Sequence, residues 1–123
     1  MEFDDRQSIY LQIVDYIGEG ILKGRFTEGE RIPSVREMAM DTQVNPNTVM
    51  RSYAALQDRG IIHNQRGIGY FVSEGAYHRI RDEKVRDLLE QEVPRLVESL
   101  RILDIQVDEI VRAIKKEYQE QTK

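Results

Sequence analysis

The chain has 123 residues, 40% hydrophobic and 33% charged, which suits one ordinary domain or a small domain with an appendage. It contains no cysteine, so disulfide frameworks and thiolate zinc sites are excluded. The N-terminus is polar and no apolar run approaches the roughly 18 residues of a membrane span. We therefore expect a cytoplasmic protein without a signal peptide.

The formal net charge of −4 is unusual for a protein that binds nucleic acid. The acidic residues, however, concentrate in the first thirty residues and in the tail. Between Arg31 and Tyr70 there are five arginines and three acidic residues, a local net charge of +2. Because the distribution of charge matters more than its sum, this segment favours a local basic face. Composition alone does not indicate DNA binding.

Residues 8–24 are predicted to form the first helix. Apolar side chains recur there at helical spacing, namely at Ile9, Ile13, Tyr16, Ile17 and Ile21. Ser8 is expected to cap this helix with its hydroxyl, and Gly24 to end it. A turn follows, and the two residues after it, Arg31 and Ile32, can form only a very short strand.

Two further helices form a predicted helix-turn-helix. Ser34, with Glu37 three residues later, has the pattern of a capping box, and the helix it starts ends near residue 42. Asn45 followed by proline is a favoured beginning for the next helix, predicted over 46–59. Two helices joined by about four residues, the second clearly capped, are typical of this motif.

A β-hairpin follows. Two β-rich runs, 61–62 and 70–72, flank a turn that contains Gly67 and Gly69. Three helices and a hairpin indicate a mostly α fold with a small β-hairpin, the winged helix-turn-helix, over residues 7–75.

The remaining residues, 76–123, are predicted to form a short helical dimerisation tail. One helix carries an apolar stripe of Val85, Leu88, Leu89, Val93, Leu96, Val97, Leu100 and Leu103. Pro94 should kink or split this helix. A last helix over about 107–119 turns Val107, Ile110, Val111, Ile114 and Tyr118 inward.

One copy of each tail helix can hardly cover this apolar surface. The same tail of a second chain is the natural partner, in an isologous interface. The side chains expected in that interface are Val85, Leu88, Leu89, Leu96, Leu100, Leu103, Ile110 and Ile114. The alternative is that the tail packs against its own winged helix.

The third helix is the candidate for base recognition. At about 100° per residue, one sector belongs to the core: Val49, Tyr53 and Leu56. Asn47 and Arg51 fall on the opposite side, with Thr48 beside them. Asparagine can pair with adenine and arginine with guanine, and the helix N-terminus can receive a phosphate.

Arg66 in the wing can reach a phosphate or a minor groove. The alternative is that the third helix presents an ordinary solvated face, and that the wing is an ordinary hairpin with a glycine turn and a solvent-exposed arginine.

Nothing in the sequence indicates an enzyme, a cofactor or a metal site. His63 and His78 lack a second ligand at a useful spacing. The glycines of the wing do not lie at a strand-helix junction, where a phosphate-binding loop would be found.

Four segments, in this order and spacing, make the chain resemble the GntR family of bacterial regulators. They are IYLQIVDYIGEGILKGRF, GERIPSVREMA, VNPNTVMRSYAALQDRGII and RGIGYFVS. The resemblance implies that a set of matching positions contacts DNA: Arg36, Asn45, Asn47, Thr48 and Arg51, with Gly67 and Gly69 in a wing that approaches the minor groove.

Two positions depart from the family pattern. Many members have arginines where this chain has Pro46 and Met50, which shifts the expected base readers to Asn47 and Arg51. The NPNTV segment and the short tail resemble the YtrA-like subfamily.

We therefore expect a sequence-specific transcription regulator, a repressor that binds a palindromic operator in double-stranded DNA as a homodimer. A small-molecule effector of unknown identity is a further expected partner. The alternative is a winged-helix module that binds protein and not DNA, which the acidic charge would suit.

Overall fold

Six α-helices and one β-hairpin make up the part of the chain that the computed structural model describes, residue 3 and residues 7–121. The helices are α1 (Ile9–Leu22), α2 (Val35–Thr42), α3 (Pro46–Asp58), α4 (Ala76–Asp87), α5 (Val93–Leu103) and α6 (Val107–Gln121). The strands are β1 (Ile62–Gln65) and β2 (Gly69–Val72), and a π-helical turn spans Leu88–Glu92. The predicted fold class, mostly α with a small hairpin, is confirmed. The chain forms two compact units, and the division between them falls after Glu83.

The core of the first unit lies where α1 and α2 pack on α3. Its apolar members come from every element up to the start of α4: Ile13, Val14, Ile17, Ile21, Ile32, Met38, Ala39, Val49, Tyr53, Leu56, Ile61, Ile62, Val72, Ala76 and Ile80. Tyr53 is fully buried, and its hydroxyl donates a hydrogen bond of 2.6 Å to the carbonyl oxygen of Pro33. Burial, with the nearby charge of Glu37, raises the pKa of Tyr53. The phenol therefore stays a neutral donor that fixes α3 to the segment before α2.

The helix starts are built in three different ways. At α2 the predicted capping box is present, since the Ser34 hydroxyl accepts from the Glu37 N–H and the Glu37 carboxylate accepts from the Ser34 N–H, both at 3.1 Å. At α3 the Asn45 side-chain oxygen accepts from the Asn47 N–H at 2.8 Å. At α1 Ser8 occupies the N-cap position, but its hydroxyl makes no capping hydrogen bond. The expected role of that hydroxyl is therefore wrong, and the nearby side-chain bond is instead the one that the Gln12 NH₂ donates to the Gln7 carbonyl oxygen at 2.8 Å.

The hairpin is antiparallel, and its register pairs Ile62 with Val72 and Gln65 with Gly69. The short strand expected at residues 31–32 is reduced to one bridge between Arg31 and Phe71. An N–H of Ile32 also donates to the Tyr70 carbonyl at 2.9 Å. The hairpin is thus attached to the segment that leads into α2.

The first turns of α4 belong to the first unit. Ala76 and Ile80 are buried in its core. The Glu28 carboxylate accepts hydrogen bonds from the N–H groups of Gly75, at 2.7 Å, and Tyr77, at 3.2 Å. The boundary predicted from the sequence lies between residues 75 and 76, eight residues before the division seen in the structure. Helical periodicity shows where α4 begins but not that other elements cover its first two turns.

In the second unit the helix does not break before Pro94. The backbone stays helical at Asp87, Glu92 and Val93, and the Val93 N–H donates to the Leu88 carbonyl, five residues back. Proline has no N–H and its ring crowds the preceding turn, so the helix widens into a π-helical turn. α5 ends at Leu103, and its C-cap residue Asp104 adopts a left-handed conformation.

The apolar side chains of α6 are not covered within the single chain. No residue of this helix is buried, and Ile114 and Tyr118 are among its exposed members. The expectation that this face turns inward is therefore wrong for the isolated chain. Among the described residues, no helix is both long and apolar enough to cross a membrane.

Candidate nucleic-acid interface

The recognition-helix candidate α3 presents the face that helical periodicity predicts. Its core sector is confirmed, because Val49, Tyr53 and Leu56 are at most 1% exposed. On the other side, Asn47 and Arg51 are exposed and Thr48 is half-buried. The exposed side of α3 therefore offers an amide and a guanidinium near the helix N-terminus.

Asn45 has a structural role at the start of this face. Its side-chain oxygen is already engaged by the Asn47 N–H. That bond uses one of the two lone pairs of the oxygen, and the amide NH₂ is the donor that Asn45 can offer to a ligand. The same bond fixes the first turn of α3, on which Asn47 lies.

Arg36 lies in the first turn of α2 and is exposed. The neighbouring Glu37 carboxylate is turned back to the cap, and hydrogen bonds from the backbone and hydroxyl of Ser34 lower the pKa of Glu37. Within residues 7–121, no carboxylate forms an ion pair with Arg36. The guanidinium is thus available to an external anion.

The wing carries Arg66 in its turn, next to Gly67, which has a positive φ of 79°. Gly69 has a φ of 146°, and the Nε atom of Arg31 lies 2.7 Å from where a Cβ on Gly69 would be. The positive φ therefore favours glycine there, and the side chain of Arg31 lies against it. Sequence analysis missed Arg31, although its place in a short strand next to a glycine-rich hairpin is a usable signal.

Arg51 is also held by a residue that sequence analysis missed. Its guanidinium carbon lies 3.7 Å from the centroid of the Tyr10 ring. Tyr10 belongs to α1, far from Arg51 in the sequence, and no short-range pattern connects the two.

The first unit therefore places the predicted DNA-contact residues on α2, at the start of α3 and on the wing, and His63 packs within the hairpin. The His63 Nδ1 atom is 3.0 Å from the Ser73 hydroxyl, and the ring stacks on Phe71. No group of three metal-ligating side chains occurs among the residues that the structure describes.

The comparisons with known proteins agree with this arrangement. The family model "Bacterial regulatory proteins, gntR family" matches residues 9–72. The chain is 36% identical to the uncharacterized HTH-type transcriptional regulator YhcF of Bacillus subtilis, over 93% of both chains. It is 32% identical to the HTH-type transcriptional repressor YtrA of the same organism, over 94% of this chain and 90% of YtrA.

Solved structures give the same family. A GntR-family regulator from Bacteroides thetaiotaomicron is 44% identical, with a TM-score of 0.76 over 93% of this chain and 99% of that one. The DNA-binding domain of AraR, solved in complex with operator ORR3, is 25% identical, with a TM-score of 0.53 over 59% of this chain and 86% of that one. The chain belongs to the GntR family of bacterial transcription regulators, which are DNA-binding proteins and not enzymes, and within it to the YtrA-like subfamily.

Proposed function

We propose that this chain is a repressor that binds a palindromic operator as a homodimer. The observation that carries the proposal is the exposed face of α3, where Asn47 and Arg51 face solvent on a helix anchored by its opposite side. An amide can bond adenine through two hydrogen bonds and a guanidinium can do the same with guanine. A helix of this kind fits the major groove.

The surrounding residues divide by the chemistry they offer. Arg36 and Arg66 are exposed cations on α2 and the wing, so we assign them to phosphates. Asn47 and Arg51 are assigned to base edges. Thr48 can donate its hydroxyl beside them.

The wing glycines complete the assignment. At Gly67 and Gly69 there is no side chain to keep the hairpin backbone away from the minor groove. Arg31, which lies against Gly69, adds a cation to this edge.

The relatives support the direction of regulation and the kind of ligand. YtrA, similar over nearly the whole chain, is named a repressor. The AraR domain, similar over 59% of this chain, was solved in complex with operator ORR3. Both fit a protein that blocks transcription by occupying duplex DNA.

The exposed apolar surface of the second unit supports the proposed homodimer. Leu89 is 60% exposed, Leu103 65% and Ile114 54%. Of the other proposed interface residues, Leu88 and Leu96 are exposed, Val85 and Ile110 are half-buried, and Leu100 is already buried in the single chain. Apolar surface of this kind is unfavourable in water and marks an interaction site. Two-fold symmetry of the protein would require two symmetric half-sites in the DNA.

The test is to select bound duplexes from a random DNA pool with the full chain, then titrate salt on the selected duplex by fluorescence anisotropy. We expect a recurrent palindrome and an affinity that falls steeply as salt rises, because phosphate contacts release counterions. Recovery of DNA with no shared motif, together with salt-independent binding, would refute the proposal. That result would favour a protein-interaction module, for which the net charge of −4 is suited.

A further inference from the structure

The side chain of Arg51 does not extend freely from α3. Its guanidinium carbon lies 3.7 Å above the centroid of the Tyr10 ring. A cation over the face of an aromatic ring at this distance is attracted by the negative charge of that face. Tyr10 is the second residue of α1, so the contact joins two helices of the first unit.

The position of Tyr10 is fixed independently of this stack. The hydroxyl of Ser52, the residue after Arg51, donates a 2.7 Å hydrogen bond to the Tyr10 carbonyl oxygen. Ser52 is fully buried. The backbone of Tyr10 is therefore tied to α3 directly beside Arg51, and a change of the Tyr10 side chain leaves this bond in place.

The stack covers a face of the guanidinium and leaves its edge free. The five N–H donors of arginine lie in the guanidinium plane and point outward from its edge. Within residues 7–121 none of them donates to a carboxylate or carbonyl oxygen. The edge is the part that a base or a phosphate would contact.

We propose that Tyr10 is a positioning residue for operator recognition, which holds the Arg51 guanidinium in the orientation that it uses on DNA. The inference rests on the proposed function, since it requires Arg51 to contact the operator. An arginine that is already ordered loses less conformational freedom on binding, so the complex is tighter. Tyr10 itself need not touch the DNA.

A measurement on the free protein tests the stack without DNA. In an ¹⁵N-labelled sample, the ring current of Tyr10 should displace the Nε–Hε resonance of Arg51. Tyr10→Phe should keep most of the displacement, and Tyr10→Leu should abolish it. If Tyr10→Leu leaves this resonance unmoved, the stack does not exist in solution and the proposal is overturned.

The second measurement is affinity for the selected operator. Tyr10→Leu should weaken it about two- to fivefold, the range of an exposed cation–π contact, while Tyr10→Phe should restore it. Binding to random duplexes should not change. In an Arg51→Gln background, Tyr10→Leu should have no additional effect, because the group that it positions is absent.

The same helix provides a matched control. Tyr16 also carries an arginine on its ring, since the guanidinium carbon of Arg25 lies 4.5 Å from the Tyr16 centroid. Tyr16→Leu should leave operator affinity unchanged. If it weakens binding as much as Tyr10→Leu does, loss of any α1 stack is sufficient and the specific role of Tyr10 is refuted.

Tyr10 is half-buried, so a fold defect in Tyr10→Leu must be separated from lost positioning. Replacement of Tyr10 by pentafluorophenylalanine retains a ring but withdraws charge from its face. It should weaken operator binding with the thermal melting temperature unchanged, whereas full affinity would overturn the proposal. If Arg51→Gln binds the operator normally, the role given to Arg51 fails and this inference fails with it, even where the resonance shows the stack.

Discussion

Asn47 and Arg36 differ in what they can recognise, although both are exposed. Base contacts specify a sequence, whereas phosphate contacts position the protein on any duplex. Asn47→Ala should therefore cost about 1–3 kcal/mol on the operator and little on random DNA. Arg36→Ala should weaken binding to both and reduce the salt slope by about one unit. Salt titrations by fluorescence anisotropy on both DNAs measure these effects.

Lys23→Ala is the control for the loss of a positive charge. Lys23 lies at the end of α1 and pairs with Glu19 at 3.6 Å, so its removal should change neither the affinity nor the salt slope. Arg66→Ala should behave like Arg36→Ala. Equal losses for Asn47→Ala and Arg36→Ala on both DNAs would contradict the assignment of base reading to the start of α3.

At the residue scale, patterns within one helix predicted burial and capping, but they did not predict side-chain contacts between helices. Helical periodicity placed Tyr53 in the core, and the Ser34–Glu37 spacing predicted a capping box that is present. The stack of Arg51 on Tyr10 could not be predicted in this way. It depends on how α1 crosses α3, which no spacing within one helix encodes.

At the element scale, a carboxylate from the segment after α1 caps the start of α4. Hydrogen bonds from the N–H of Gly75, and then from that of Tyr77, lower the pKa of Glu28 from its ordinary 4.5. The folded pKa is thus below the unfolded one. The stabilisation is present above pH 4.5 and is lost as the pH falls through the lower, folded value.

Glu28→Gln should therefore lower the melting temperature at neutral pH and flatten its fall below pH 4.5. The amide oxygen of glutamine is a weaker acceptor for the two N–H groups than a carboxylate. Melting curves by circular dichroism between pH 3 and 7 measure both effects. Glu19→Gln, which removes an exposed carboxylate elsewhere in the first unit, is the control. Identical pH profiles for the native chain and Glu28→Gln would show that the cap contributes nothing.

The beginning of α4 should also stabilise the first unit through its apolar contacts. Ile80 is 2% exposed and lies against Gly18 of α1. Ile80→Ala should cost about 2–5 kcal/mol in the free energy of unfolding, the range for a buried isoleucine cut back to alanine. Urea denaturation measures this loss of stability. Met40→Ala is the control, because the Met40 side chain is 73% exposed. If Ile80→Ala lowers the free energy of unfolding by less than Met40→Ala does, the first unit would end after residue 75 and not after Glu83.

For the whole molecule, the distribution of charge has more consequence than the total. The chain is acidic, at −4, yet residues 31–70 carry +2. In the proposed complex, acidic surfaces elsewhere would repel the DNA backbone, while the segment with α2, α3 and the wing would attract it. Binding of DNA to the other surfaces is thereby disfavoured. The total charge alone would have predicted a protein that does not bind DNA.

The last prediction concerns assembly. Leu89 and Leu96 are exposed on the π-helical turn and α5, at 60% and 40%. Burial of side chains of this size against a second copy would release about 1.5–3 kcal/mol for each one fully buried. The native chain should sediment at twice its 14.4 kDa at micromolar concentration. Leu89→Asp with Leu96→Asp should sediment as a monomer, because two unpaired charges would have to be desolvated at the interface.

The double variant also tests the link between assembly and operator symmetry. The first unit, which carries the proposed DNA-contact residues, is not altered by these substitutions. The monomer should therefore bind a duplex with one half-site as the native chain does, but gain little from a second half-site, since the two units are no longer joined. Arg36→Ala, which changes only the DNA side, should remain a dimer. A native chain that is monomeric at micromolar concentration, or a double variant that keeps the full preference for two half-sites, would show that residues 85–114 do not form the interface.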